Sequence, residues 1–107
     1  MFARIANVNL KVGEGPGYAR TVDREVMPVL RKLSGFRDQI TLVSSDGKQT
    51  IGITLWDRRE DADAYTVGAY QDVVKCLQKH IDGTPEVTTY EVTNSTAHAI
   101  TTLKAGA

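Results

Sequence analysis

Apolar and polar positions alternate from residue 2 to residue 12, with Ala6, Val8, Leu10 and Val12 on one face and Ile5, Asn7, Asn9 and Lys11 on the other. A period of two predicts a half-buried first strand. Gly13, Gly15, Pro16 and Gly17 then break any regular pattern and predict a turn. Tyr18, Val22, Val26, Val29, Leu30 and Leu33 recur at helical spacing, with Arg20, Asp23, Arg24, Arg31 and Lys32 on the solvent side, which predicts a first helix over about residues 17–34. Pro28 falls inside it, where the missing N–H and the ring clash should kink the helix or restart it with Pro28 in a first turn. Gly35 supplies the stop.

Residues 36–45 and 49–57 are rich in Ile, Val, Thr and Leu, and the Asp46-Gly47 pair between them is a strong hairpin signal, so they predict strands two and three. After the polar run Arg58-Arg59-Glu60-Asp61, the positions Ala62, Tyr65, Ala69, Val73, Cys76, Leu77 and Ile81 give a second helical stripe reaching about His80, with Gly68 weakening its middle. Asp82-Gly83-Thr84-Pro85 predicts another turn, and residues 87–93, with β-branched side chains and Tyr90, a fourth strand.

The order β-α-β-β-α-β is the split arrangement of ferredoxin-like α+β folds, in which two helices cover one face of a four-stranded antiparallel sheet. One such domain is predicted over residues 1–95, with 96–107 as a poorly anchored tail. The other sheet face carries apolar residues at alternate positions and has no cover, so it should be hidden by the sheet of an identical chain. A homodimer is the consequence.

Composition narrows the partners. The 107 residues include 13 Lys+Arg and 13 Asp+Glu, 41% are hydrophobic, and there is one cysteine. A chain of this size buries roughly 65% of its surface on folding, enough for one core but a marginal one, so a partner subunit would help. Zero formal charge without a basic cluster argues against nucleic acid as the main partner. Arg4, Asn7 and Asn9 interrupt the first ten residues, which therefore do not read as a signal peptide, and no segment reaches transmembrane length. With a lone Cys76 giving no sign of an oxidising compartment, a cytoplasmic location is expected.

Few residues carry chemistry. His80 and His98 have no cysteine or carboxylate at ligand spacing, so no metal site is expected. Cys76 lies on the apolar stripe of helix two and reads as a buried thiol. Gly13-Glu14-Gly15-Pro16-Gly17 lacks the spacing of a dinucleotide fingerprint, and the serines at 34, 44, 45 and 95 have no His-Asp partners. A polar and aromatic set is more informative: Asn7 on strand one, Trp56 ending strand three, and Tyr65, Tyr70 and His80 on helix two. Asn7 either bonds solvent or nearby backbone, or leaves its amide for a ligand. Trp56 and the tyrosines are either core anchors or a substrate box.

Several stretches resemble the antibiotic biosynthesis monooxygenase family of dimeric α/β barrels: the opening strand from Arg4 through Asn7 to Gly13, the helix end from Met27 to Phe36, and Thr54-Leu55-Trp56-Asp57 running into Ala62-Asp63-Ala64-Tyr65. The resemblance covers about residues 2–93. It implies cofactor-free chemistry, in which an electron-rich phenol is deprotonated, its carbanion reduces oxygen by one electron, and the radical pair recombines. It places a pocket between the helices and the sheet of each subunit. Asn7 matches the family's strand-one asparagine and would hydrogen-bond the substrate oxygen where charge develops; Trp56 matches its tryptophan and would pack on the ring. Helix position then offers Tyr65 and Tyr70, with Phe36, as substrate-binding residues and His80 as the base.

The haem-degrading branch shares the strand-one asparagine but has a tryptophan within helix two and an iron-ligating histidine. Here Gln78 falls where that histidine should be, with His80 two positions away, about 200° around a helix. Haem degradation is not expected. The oxygenase reading therefore stands against a non-catalytic ligand-binding or stress-response barrel. An interior with room for an aromatic ring and with Asn7 and Trp56 both pointing inward favours the first; a filled interior favours the second.

Overall fold

The computed structural model describes residues 1–100. Strand β1 (Phe2–Leu10) lies between β3 (Gln49–Trp56) and β4 (Ile81–Glu91), and β2 (Phe36–Val43) completes an antiparallel sheet of order β2-β3-β1-β4. That order, with helices on one face, is the ferredoxin-like α+β fold that the element sequence predicts. The β2-β3 hairpin turns at Gly47, whose φ of +72° suits only glycine without strain.

The first helical stretch has three parts. Helix α1 (Gly15–Thr21) carries Pro16 in its first turn, so the glycine-proline run expected as a turn is the start of the helix, where a missing N–H costs nothing. Val22–Val26 form a π-helical turn, closed by Met27 N–H donating to Val22 O. Helix α2 (Met27–Leu30) restarts with Pro28 in its own first turn. Pro28 has no N–H to offer the carbonyl four residues earlier, and the wider turn carries the chain past that gap.

The second stretch departs from the single helix expected over residues 62–80. It comprises α3 (Arg59–Val67), α4 (Tyr70–Leu77) and a 3₁₀ turn at Gln78–His80. The break is at Gly68 (φ −109°, ψ −109°), whose N–H closes α3 onto Ala64 O at 3.0 Å. Strand β4 also begins earlier than expected, at Ile81. The pairing with β1 jumps from Asn9↔Asp82 to Asn7↔Glu86, and Gly83 at φ +85° takes up the extra residues. The segment predicted as a turn is thus a bulge inside one strand.

Alternation along β1 turns Val8 and Leu10 towards the helices, where they pack with Tyr18, Val22, Val26, Leu30, Trp56, Ala62, Tyr65, Val73, Leu77 and Ile81. Val12, expected on the same face, lies beyond the strand and is 99% exposed. On the opposite face Ile5 stands across from Ile53, which stands across from Ile40, and Ile51 stands across from Leu42. Ile40 and Leu42 are 41% and 48% exposed. At one end of this face Ala3 and Leu55 are buried, and there His98 Nε2 reaches Asp38 Oδ2 at 3.2 Å. The expected tail is therefore tied at one described point; its residues 101–107 lie outside the described chain. Among the described residues no helix is long and apolar enough to cross a membrane.

Candidate functional site

Between the helices and the covered face of the sheet lies a cavity of about 40 Å³. Its walls come from every layer of the fold. Ala6, Val8, Gly52 and Thr54 form the sheet side; Tyr18, Val22 and Val26 come from the first helical stretch; Tyr65, Tyr70, Val73 and Leu77 come from α3 and α4. Part of the space exists because Gly52 sits opposite Ala6, two small residues on neighbouring strands. A Cβ added at Gly52 would meet nothing within 4 Å.

A row of aromatic rings leads to this cavity. Phe36 meets Trp56 edge-on at 5.6 Å, Trp56 lies 5.1 Å from Tyr65, and Tyr65 meets Tyr70 edge-on at 5.5 Å, separations at which such pairs attract. Trp56 is only 1% exposed and its indole Nε1 donates to Thr54 Oγ1 at 2.9 Å, so both its ring and its polar atom are satisfied by the protein. Trp56 backs Tyr65 and is absent from the cavity wall, and Phe36 lies farther along the row. A second, more open recess of about 230 Å³ is lined by Leu33, Trp56, Asp61, Tyr65 and Ala69. Tyr65 is the side chain common to both spaces.

The residue that the sequence reading passed over is Arg4. Only 2% exposed, its guanidinium lies 3.8 Å from the centre of the Tyr70 ring and 4.9 Å from that of Tyr65. Nε donates to Thr66 Oγ1 at 2.7 Å, whereas Nη2, equally buried, has no hydrogen-bond partner among the described residues. No carboxylate among them pairs with it. The imbalance is energetic. Burying an ion costs several kcal/mol, and a desolvated cation over an aromatic face regains about 2 kcal/mol. A signal for Arg4 was present in the sequence: it precedes Ala6 and Val8 by steps of two, which puts a charge on the apolar face of β1.

Burial raises the Tyr65 hydroxyl well above the ordinary phenol range; Arg4 pulls it down, while Tyr70 and Tyr18 add to the rise. Burial, with a contribution from Tyr70, pushes Tyr18 up to about 12. At neutral pH these two phenols are protonated hydrogen-bond donors and cannot serve as bases.

Asn7 and His80 do not join this group. Asn7 lies on the opposite face of β1 from Ala6 and Val8, paired between Ile51 and Glu86, where it borders an open polar recess with Asn9 and Leu42. The alternation that turns Val8 inward turns Asn7 outward. His80 is buried, but its ring is fixed at both nitrogens: Nδ1 lies 2.6 Å from Glu14 Oε1 and Nε2 lies 2.8 Å from Thr21 Oγ1. It meets the edge of Tyr18 at 6.4 Å and ties the 3₁₀ turn to α1 without reaching the cavity wall. Of the six side chains singled out from the sequence, Tyr65 and Tyr70 line the cavity, Trp56 and Phe36 support them, and Asn7 and His80 lie elsewhere. Among the described residues no group of three or more His, Cys, Asp or Glu could hold a metal ion.

By sequence, no family model matches the chain and no curated protein matches it. By structure, the chain is similar to a candidate antibiotic biosynthesis monooxygenase from Bordetella bronchiseptica, with a TM-score of 0.74, 14% identity, and 87% of this chain and 97% of that one covered. It is also similar to a monooxygenase of Streptomyces coelicolor seen in complex with nanaomycin D, with a TM-score of 0.74, 14% identity and 88% of each chain covered. A third similar structure is the cofactor-independent oxygenase SnoaB of Streptomyces nogalater, with a TM-score of 0.71, 11% identity, and 91% and 97% covered. At these identities the likeness is one of fold: the chain has the fold of the antibiotic biosynthesis monooxygenases.

Proposed function

We propose that this protein is a cofactor-independent monooxygenase of an electron-rich phenol or quinol, working as a homodimer with one pocket in each subunit. The observation that carries the reading is the apolar cavity between helices and sheet, walled by the protonated phenol of Tyr65 and by Tyr70. Such a wall suits an aromatic ring, and phenol donors can hold the ring oxygen on which negative charge develops. The chemistry balances without a cofactor. An anthrone-type substrate loses its ring C–H proton, and the carbanion passes one electron to O₂. The radicals then join to a peroxide that breaks down to a carbonyl and water, one oxygen atom going to each product.

The cavity, at about 40 Å³, is smaller than the ligand. Accommodating a benzene-sized ring takes on the order of 150 Å³. Displacement of Tyr65, the partition shared with the second recess, would join the two spaces and make the room. The break at Gly68 between α3 and α4 is where the backbone can yield. A second reading, a non-catalytic binding barrel, is favoured by this small volume and by the outward position of Asn7. Oxygen uptake with an anthrone and a quinol panel separates the two. Under the oxygenase reading, wild type exceeds the spontaneous rate and Tyr70→Phe lowers that acceleration about tenfold or more. No acceleration with any member of the panel leaves the binding barrel.

A further inference from the structure

From the cavity and its unpartnered buried cation we infer that the site takes its aromatic ligand as the anion, a phenolate whose oxygen pairs with the Arg4 guanidinium. The inference rests on the proposed pocket but not on the oxidation. A guanidinium presents its donors in a fixed planar fork, and here one arm is used by Thr66 while Nη2 stays buried and empty-handed among the described residues. Tyr70 covers the face of the group, so a partner must approach in its plane, along its edge. A neutral hydroxyl would satisfy Nη2 but leave the charge uncompensated; an anionic oxygen satisfies both.

The same assignment removes a difficulty. The phenols of Tyr18 and Tyr65 titrate too high to act as bases, and His80 is held away by Glu14 and Thr21. If Arg4 favours the ionised ligand, proton loss can go to solvent before or during entry, and no side chain of the pocket has to accept it. Arg4 is then the residue that selects acidic phenols over neutral aromatics of the same shape.

The test uses 4-nitrophenol, whose anion absorbs visible light and whose electron-poor ring resists oxidation by O₂, with nitrobenzene as the uncharged comparison. Binding to the wild-type protein should shift the apparent ionisation constant of 4-nitrophenol towards the anion by tenfold or more. Arg4→Met should lose at least tenfold in affinity for the anion while binding nitrobenzene within about twofold of wild type. Preferential uptake of the neutral phenol by wild type overturns the inference, as does equal anion binding by wild type and Arg4→Met, or failure of wild type to bind either compound. The ionisation shift is read on the wild-type protein alone, so a poorly folding variant does not remove the test. Because no turnover is involved, anion binding without oxygen uptake by quinols would sink the oxygenase reading and keep this one.

Discussion

At the scale of single residues, the account turns on side chains that sit where their chemistry is costly. Gly35 is the clearest backbone case. Its φ is +76°, its carbonyl accepts from Asp57 N–H at 2.8 Å, and a Cβ there would collide with the Asp61 side chain. Gly35→Ala should therefore destabilise the protein by about 2–4 kcal/mol in urea unfolding, from strain and displacement of the buried Asp61 together. The buried phenols give a pH signature. Tyr18 ionises near pH 10 when unfolded and near 12 when folded, and Tyr65 is raised in the same direction. Above pH 10 the folded state therefore holds protons that the unfolded state has released, so stability is full below pH 10 and falls as pH rises towards 12, at up to about 1.4 kcal/mol per pH unit for each phenol. Denaturation midpoints across that range should fall in wild type and fall less steeply in Tyr18→Phe; equal slopes would contradict the assignment. Residue-level reading of the sequence found Tyr65 on the helical stripe and Tyr70 from its place on the same helical stretch, next to Ala69 of that stripe. It misplaced Asn7 because a match of residue type was given more weight than alternation, which already set Asn7 on the face opposite Val8.

At the scale of elements, β1 and the helical stretches were legible from periodicity and the other three strands from β-branched composition and the Asp46-Gly47 hairpin signal, while their ends and interruptions were not. The reason is physical: a period reports which face is buried, and a break depends on backbone geometry that one or two residues settle. Gly68 weakened a continuous pattern on paper and divides it in the structure, because ψ of −109° leaves the helical region. A Cβ at that position would lie 2.9 Å from Ala64 O, so Gly68→Ala should cost about 1–3 kcal/mol in thermal or urea unfolding even though helix propensity alone favours alanine. A stabilised variant would show that α3 and α4 are one helix in solution. Likewise Asp82-Gly83-Thr84-Pro85 has turn composition, but pairing with β1 on both sides makes it a bulge. No local pattern shows that, because the partner strand lies far away in sequence.

At the scale of the whole molecule, the open sheet face has a row of isoleucines, Ile5, Ile53 and Ile40, with Leu42 and Ile51 beside it, and among the described residues Ile40 and Leu42 are left exposed. The proposed homodimer would cover this surface by pairing two such faces. Light scattering on a gel-filtered sample should give about twice the chain mass of 11.7 kDa, and Ile53→Lys should shift it to the monomer with the far-ultraviolet spectrum retained. A wild-type monomer would contradict the homodimer.

The central claim is that the cavity under the sheet is where oxygen chemistry takes place, and Gly52 tests it most directly. Its missing side chain faces open space in the cavity floor, and a β-branched residue suits a strand, so Gly52→Val fills the site without removing any contact. The measurement is oxygen consumption with anthrone by wild type and Gly52→Val, both free of added metal or cofactor and at equal folded concentration. The account predicts uptake above the spontaneous rate in wild type and a return to that rate in the variant. Uptake unchanged by the valine, or no acceleration by wild type, would contradict it.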